Sequence, residues 1–254
     1  MKIGIFDSGV GGLTVLKAIR ERYKNVDIVY LGDTARVPYG IRSKDTVIKY
    51  SLECANFLKE KGVDLLVVAC NTASAYALEK LKSEINFPIF GVIEPGVREA
   101  LRITKNKRIG IIGTSATVKS GAYQELLKKE GAYVLSKACP LFVPLVEEGL
   151  IEGDITRKVI EHYLEDFIGK IDTLILGCTH YPLLKKEIEK FLKGVEVIDS
   201  SEAISKSLSG YVKDEGNSTL ELFFTDFSQN IDFLVNLILG KTLDIKLARG
   251  VFAI

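Results

Sequence analysis

The sequence predicts two similar, pseudo-symmetric α/β domains, each with a mainly parallel four-stranded sheet flanked by helices. Three observations carry this. Short apolar runs alternate with stretches of helical spacing along the chain. The stretch Asp64-Leu-Leu-Val-Val-Ala-Cys70-Asn71-Thr72 recurs as Asp172-Thr-Leu-Ile-Leu-Gly-Cys178-Thr179-His180. The run Ile-Gly-Ile-Phe at 3–6 recurs as Ile-Gly-Ile-Ile at 109–112. The recurrences are offset by 108 and 106 residues, so the unit that repeats is a whole βα domain. Strands joined through helices run parallel, because the crossover returns the chain to the same edge of the sheet.

In chain order, the apolar run 3–6 reads as a strand and 14–23 as a helix, with Leu16, Ile19 and Tyr23 on one face. A strand over 26–31 leads into a long loop, 32–40. Ile48, Leu52 and Ala55 give a helix over 45–60. The strand 65–69 ends on Cys70, the helix 73–83 follows, and the strand 89–93 is punctuated by Glu94-Pro95-Gly96. The pattern then restarts with a strand at 109–112, a helix over 117–130, a strand at 133–135 and a second long loop, 136–154. The helix 155–168, the strand 173–176, the helix 183–192 and the strand 195–198 complete the second unit. A tail with a strand at 220–224 and a helix over 228–239 belongs to neither repeat and returns to the first domain after a crossover near 199–205. The predicted division is therefore 1–97 plus 208–254 against 98–207.

The bulk numbers exclude several classes. At 254 residues, with 47% hydrophobic and 26% charged side chains, the chain is globular in composition. A net charge of +1 with interspersed signs gives no basic face for nucleic acid and no polybasic anchor for a membrane surface. No apolar run approaches the ~20 residues of a membrane helix, and Asp7 interrupts the apolar start. A cytoplasmic protein is expected. The four cysteines, at 54, 70, 139 and 178, include no C-x-x-C pair, and the two histidines stand at 162 and 180. That pattern does not make a structural zinc site, and in a reducing compartment the thiols stay free. Cys54 reads as a small buried hydrophobe, Cys139 as structural, and His162 as a surface residue on its helix.

Ligands of open parallel sheets bind beyond the carboxyl ends of the strands. Cys70, Cys178 and both long loops sit at those ends. Each thiol also precedes a predicted helix, whose N-terminus favours the thiolate. The turn Asp7-Ser8-Gly9-Val10-Gly11-Gly12 offers backbone N–H groups to an anion. It is not a dinucleotide fingerprint, since the glycine required at 14 is Thr14, and no P-loop pattern is present. A carboxylate ligand suits it. Nucleophilic catalysis by Cys178 with His180 would leave Cys70 idle. A non-catalytic amino-acid binder would use the turn and the cleft but needs no thiols. Two-base proton transfer uses both: one thiolate removes a proton from carbon and the opposite thiol returns one to the other face.

Five motifs together carry a resemblance. They are Asp7-Ser8-Gly-Val-Gly-Gly, Pro38-Tyr39-Gly40, Ala69-Cys70-Asn71-Thr72-Ala73, Gly113-Thr114 through Lys119-Ser120-Gly121, and Gly177-Cys178-Thr179-His180-Tyr181-Pro182. In order and spacing this set resembles the bacterial glutamate racemases. The resemblance implies cofactor-independent interconversion of L- and D-glutamate, supplying D-glutamate for peptidoglycan. It also implies an active site in the cleft between two α/β domains, and a homodimer. By position, Cys70 resembles the acid/base acting on the D-enantiomer and Cys178 the one acting on the L-enantiomer. Asp7 resembles the auxiliary acid beside Cys70, and Glu147 and His180 the auxiliaries beside Cys178. Ser8, Tyr39, Gly40, Asn71, Thr72, Thr114, Thr117 and Thr179, with Asp7 and His180, resemble substrate-binding residues. Ser115-Ala116 departs locally from the family pattern. An aspartate or other amino-acid racemase of the same superfamily is the alternative reading.

Overall fold

The computed structural model describes residues 1–227 and 230–252. Residues 228 and 229, where the predicted tail helix begins, and 253–254, the end of the first predicted domain, lie outside the described residues. The first unit runs β1 (Lys2–Asp7), α1 (Leu13–Arg22), β2 (Asp27–Gly32), α2 (Lys44–Glu60), β3 (Leu65–Val68), α3 (Asn71–Tyr76), α4 (Leu78–Glu84) and β4 (Ile89–Gly91). Helix α5 (Ile93–Ile103) leads to the second: β5 (Arg108–Gly113), α6 (Ser115–Ser120), α7 (Ala122–Lys129), β6 (Tyr133–Ala138), α8 (Phe142–Glu147), α9 (Asp154–Leu164), β7 (Thr173–Gly177), α10 (Lys185–Phe191) and β8 (Glu196–Asp199). The rest is α11 (Ser200–Ser207), β9 (Leu220–Phe224), α12 (Ile231–Leu239) and β10 (Ile245–Leu247).

The two sheets are wound alike. In the first, β1 pairs with β2 on one side and β3 on the other, and β4 lies outside β3, all parallel. In the second, β5 takes the place of β1, between β6 and β7, with β8 outside, again all parallel. The strand order reverses beside β1 and beside β5. That reversal opens a crevice at the carboxyl ends, between β1 and β3 and between β5 and β7. Asp7 and Cys70 stand at the first crevice, Thr114 and Cys178 at the second. The first sheet differs from the predicted four strands. The tail adds β9 beside β2 and β10 beside β9, both parallel, and makes it six-stranded.

The inner strands, such as β3 and β7, read as apolar runs because both faces of each sheet are covered there, whereas the edge strand β6 is only half-buried. Successive side chains of a strand point to opposite faces. Ile3 and Ile5 therefore pack with Leu16 and Ile19 of α1 and Leu234 and Ile238 of α12, while Phe6, Leu66 and Val68 face α2. The second sheet divides the same way, Ile109, Ile111 and Ile175 toward α5 and α7, and Ile112, Leu174 and Leu176 toward α9 and α10. Each such fully buried aliphatic side chain contributes about 1.5–3 kcal/mol relative to exposure. Helix α11 follows the second sheet, yet Ile204 and Leu208 enter the first sheet's core and Tyr23 Oη donates to the Ser205 carbonyl at 3.0 Å. It thus ties the two sheets together.

Four local expectations change. Glu94-Pro95-Gly96 does not end an element; it lies in the first turn of α5. Helix α8 lies inside the predicted loop 136–154, with Pro144 in its first turn. The first N–H groups of a helix have no intrahelical partner, so proline is tolerated there. The helix predicted over 117–130 is broken at Gly121, whose φ of +74° caps α6 and starts α7. The helix predicted over 183–192 is a 3₁₀ turn, Tyr181–Leu184, before α10. Among the described residues no helix is long and apolar enough to cross a membrane.

Candidate active site

Cys70 and Cys178 line one small cavity of about 30 Å³, shared with Ser8, Tyr39, Gly40, Asn71, Thr72, Thr114, Thr179 and His180. Ten of the residues singled out in the sequence thus meet at one place. Val37, Pro38 and Val143 complete its wall. Asp7, Thr117 and Glu147 do not line it. Asp7 and Thr117 are fully buried behind the lining, and Glu147 borders a separate pocket next to it.

The wall is held by bonds between the two halves of the chain. Thr72, Thr114 and Thr117 hydroxyls stand 3.0 Å from one another in a triangle. Tyr76 Oη donates to the Ala116 carbonyl at 3.1 Å, and Thr14 Oγ1 donates to the Thr179 carbonyl at 3.1 Å. Two glycines let the halves meet closely. A Cβ on Gly11 would lie 2.5 Å from both His180 Nδ1 and Thr179 Oγ1, and one on Gly40 would lie 2.6 Å from Thr114 Cβ.

The thiols have different surroundings. Cys70 caps α3, its sulfur accepting from the Ala73 N–H at 3.5 Å. Burial nevertheless pushes its thiol up to about 12, reinforced by the Asp7 charge and opposed by the Ala73 N–H and the Ser8 hydroxyl. The helix terminus is thus outweighed by burial, contrary to the expectation that it would favour the thiolate. Burial also raises the Asp7 carboxyl, against the lowering effects of the His180 charge and of bonds from Gly9, Gly12 and Thr179. Cys178 precedes the 3₁₀ turn rather than an α-helix. Its neighbour is His180, whose Nδ1 lies 3.9 Å from the sulfur and whose Nε2 lies 3.2 Å from Glu147 Oε1. Burial lowers the imidazole, but its bonds to Cys178 and Glu147, with their charges, lift it to about 10. A buried cation beside Cys178 has no counterpart beside Cys70.

The loop after β2 shapes the wall from behind. Tyr39 lines the cavity, but its hydroxyl donates to Asp33 Oδ2 at 2.5 Å. Asp33 is fully buried and also accepts from Arg36 Nε at 2.7 Å and Thr225 Oγ1 at 2.9 Å. The Arg36 guanidinium bonds Glu53 and lies 4.0 Å over the Tyr50 ring and 4.3 Å over that of Phe252. The sequence shows this loop but not its anchors, which come from three other segments, at Tyr50 and Glu53 in α2, at Thr225 and at Phe252. Nor does it mark Tyr123, whose hydroxyl bonds Asn71, or Val143, for which an apolar residue in a predicted loop gave no signal. Cys54, Cys139 and His162 are where expected: the thiols buried, the histidine exposed. Among the described residues no three His, Cys, Asp or Glu side chains are placed to hold a metal ion. The donor set instead suits a small zwitterion: hydroxyls, an amide and backbone N–H groups around two thiols.

Known proteins resemble this chain in sequence and in fold. Residues 3–208 match the family model described as Asp/Glu/hydantoin racemase. The glutamate racemase of Aquifex pyrophilus is 76% identical over 252 residues, 99% of each chain. Its solved structure superposes with a TM-score of 0.88, covering 99% of this chain and 100% of that one at 75% identity. A glutamate racemase isoform from Bacillus anthracis is 37% identical, with a TM-score of 0.92 over 99% and 98% of the two chains. The Escherichia coli glutamate racemase, solved with L-glutamate and an activator, is 27% identical, with a TM-score of 0.81 over 96% of each chain.

Proposed function

The chain belongs to the Asp/Glu/hydantoin racemase family, and on that premise we propose that it interconverts L- and D-glutamate by proton transfer between Cys70 and Cys178. The observation that carries this reading is the placement of two cysteines, from equivalent strand ends of two like-wound sheets, around one cavity. The reaction is an isomerisation, and its D-glutamate supplies peptidoglycan synthesis.

In the L-to-D direction the Cys178 thiolate takes the α-proton. The C–H electron pair remains on the α-carbon and delocalises into the carboxylate. The Cys70 thiol then delivers its proton to the opposite face. Cys178 ends as thiol, Cys70 as thiolate, and the D-to-L direction reverses each step. The sites fit these roles differently. Cys70, pushed up to about 12, is held as the acid, and Asp7 behind it is its auxiliary. Beside Cys178 the His180 imidazolium, backed by Glu147, matches the negative charge of a thiolate. Ser8, Asn71, Thr72, Thr114, Thr179 and the backbone at Tyr39-Gly40 bind the substrate's ammonium and carboxylates. Asp7 and Thr117 act through the residues in front of them.

On the same reading the chain divides into 1–97 with 208–254 and 98–207, works in the cytoplasm and forms a homodimer. Sedimentation at micromolar concentration tests the last point. Incubation with L- or D-glutamate in D2O tests the chemistry. Two opposed bases place deuterium at Cα of the product enantiomer while the recovered substrate stays unlabelled at early times. Absence of exchange from either enantiomer would sink the racemase reading, and exchange with aspartate alone would move it to the sister activity.

A further inference from the structure

Asn71 lines the catalytic cavity and is 2% exposed. Its Oδ1 accepts the Tyr123 hydroxyl at 2.6 Å, while its Nδ2 has no partner among the described residues. A buried amide N–H without an acceptor is costly, so a native protein that keeps one has a use for it. The arrangement is also not free to change. Tyr123, on α7, is fully buried. A Cβ on Gly96 would lie 3.6 Å from the ring, and one on Gly177, the residue before Cys178, would lie 3.3 Å from it. The ring is thus held between the backbones of α5 and β7. Burial raises the phenol far from ionisation, so the hydroxyl keeps its proton and donates. A donating phenol takes the amide oxygen and leaves the amide nitrogen for the other side. The flipped amide would spend its N–H on Tyr123 and turn a carbonyl oxygen toward the ligand.

We propose that Tyr123 is a positioning residue that, by holding Asn71 Oδ1, presents Asn71 Nδ2 to a carboxylate oxygen of the substrate. The inference rests on the reaction proposed above. A dicarboxylic amino acid supplies strong acceptors only through its carboxylates, since its ammonium group is itself a donor. The hydrogen bond joins α3 of the first unit to α7 of the second, so the orientation of a ligand on one half is fixed by the other.

The test compares the unmutated protein, Tyr123→Phe and Asn71→Asp in steady-state kinetics with both enantiomers, with thermal unfolding alongside. Tyr123→Phe releases the amide and raises KM for L- and D-glutamate on the order of tenfold, the loss of one oriented hydrogen bond, with kcat nearly unchanged. Asn71→Asp keeps an oxygen for Tyr123 but sets a carboxylate where the donor stood. It raises KM by more than about a hundredfold, because a charged contact is now repulsive. A lower melting temperature in Tyr123→Phe with KM unmoved makes the residue a strut and overturns the proposal. Wild-type KM in Asn71→Asp overturns it too, and decides alone if Tyr123→Phe does not accumulate. Should the unmutated protein not racemise glutamate, the reaction itself fails. The same three proteins are then compared for glutamate affinity by calorimetry, where equal affinities overturn the positioning claim independently.

Discussion

Gly11→Ala puts a wedge into the seam on which the candidate site depends. Gly11 is not among the residues with positive φ, so alanine suits its backbone and only the added methyl matters. That carbon would lie 2.5 Å from His180 Nδ1, 2.5 Å from Thr179 Oγ1 and 2.7 Å from His180 Cε1. Ordinary contact begins at 3.4 Å, so the groups must part by about 0.9 Å. Neither neighbour can yield alone. His180 is held between Glu147 at 3.2 Å and Cys178 at 3.9 Å, and Thr179 Oγ1 donates to Asp7 Oδ1 at 3.3 Å. The turn 8–12 therefore moves away from 179–180, or the imidazole leaves the sulfur. Overpacking of this kind costs about 1–3 kcal/mol of stability, or roughly 2–4 °C of melting temperature per kcal/mol at this chain size. Misplacing a reacting group by ~1 Å costs about 10²-fold in rate. The expected result is a folded protein with kcat/KM lowered on the order of a hundredfold, followed by circular dichroism of the glutamate enantiomers. The loss must be equal in both directions. Enantiomers have the same free energy in water, so the equilibrium constant is one and the two values of kcat/KM are bound together. Activity within threefold of wild type would refute the claim that this seam sets the site.

Other outcomes follow from the same geometry. Cys70→Ser and Cys178→Ser each abolish racemisation, because a serine hydroxyl does not ionise in the range of a thiol; near wild-type turnover in either single variant refutes two-base transfer. The His180 cation, lifted to about 10, is present at neutral pH and lost as pH rises through that value, so kcat/KM falls on the alkaline side. Glu147→Gln removes one of the contributions that lift it and moves that fall to lower pH; an unmoved limb assigns it to another group. His180 also contributes stability that is complete below its ordinary value of 6.5 and fades as pH climbs toward 10, which urea unfolding at pH 6 and 10 tests. Arg36→Ala leaves the buried Asp33 carboxylate without its cation, a loss of about 3–5 kcal/mol. Denaturant unfolding reads it, and a change below 1 kcal/mol removes the pair's role in holding Tyr39.

What the sequence discloses depends on the range of the interaction. The inner strands of the repeat are visible because burial on both faces makes them apolar runs, as in β3 and β7, whereas the edge strand β6, half-buried, shows only its first three residues; the two cysteines are visible because the repeat places them alike. Helices α5 and α8 are hidden by Pro95 and Pro144, whose helix-breaking effect vanishes in a first turn. Strand β10, three residues at the sheet edge, has too little apolar pattern to stand out. The site residues adjoining the thiols are legible, since they share a short motif with them. Those acting from a distance are not. Tyr123 meets Asn71 across 52 residues and Thr225 meets Asp33 across 192, and nothing local to either marks the partner. The order of the strands, which brings Asp7 beside Cys70, is likewise a property of the packed sheet.

The duplicated fold and the unlike surroundings of its thiols have a joint consequence for the kinetics. On the proposed roles the free enzyme exists in two forms, one with the Cys178 thiolate that accepts L-glutamate, one with the Cys70 thiolate that accepts D-glutamate. Burial beside Asp7 disfavours the second, whereas the first has the His180 imidazolium 3.9 Å from its sulfur. This bias cannot appear in kcat/KM, which the equilibrium constant of one holds equal for the two directions. It must appear in how that ratio divides. The enantiomer whose form is scarce meets fewer competent molecules, which raises its KM, and equality of the ratios then requires a higher kcat in the same direction. D-glutamate should therefore show both the larger KM and the larger kcat. Glu147→Gln, by weakening the cation beside Cys178, should draw the two pairs of constants together. Constants already equal in the unmutated protein would mean that the unlike neighbours leave the two thiols equivalent.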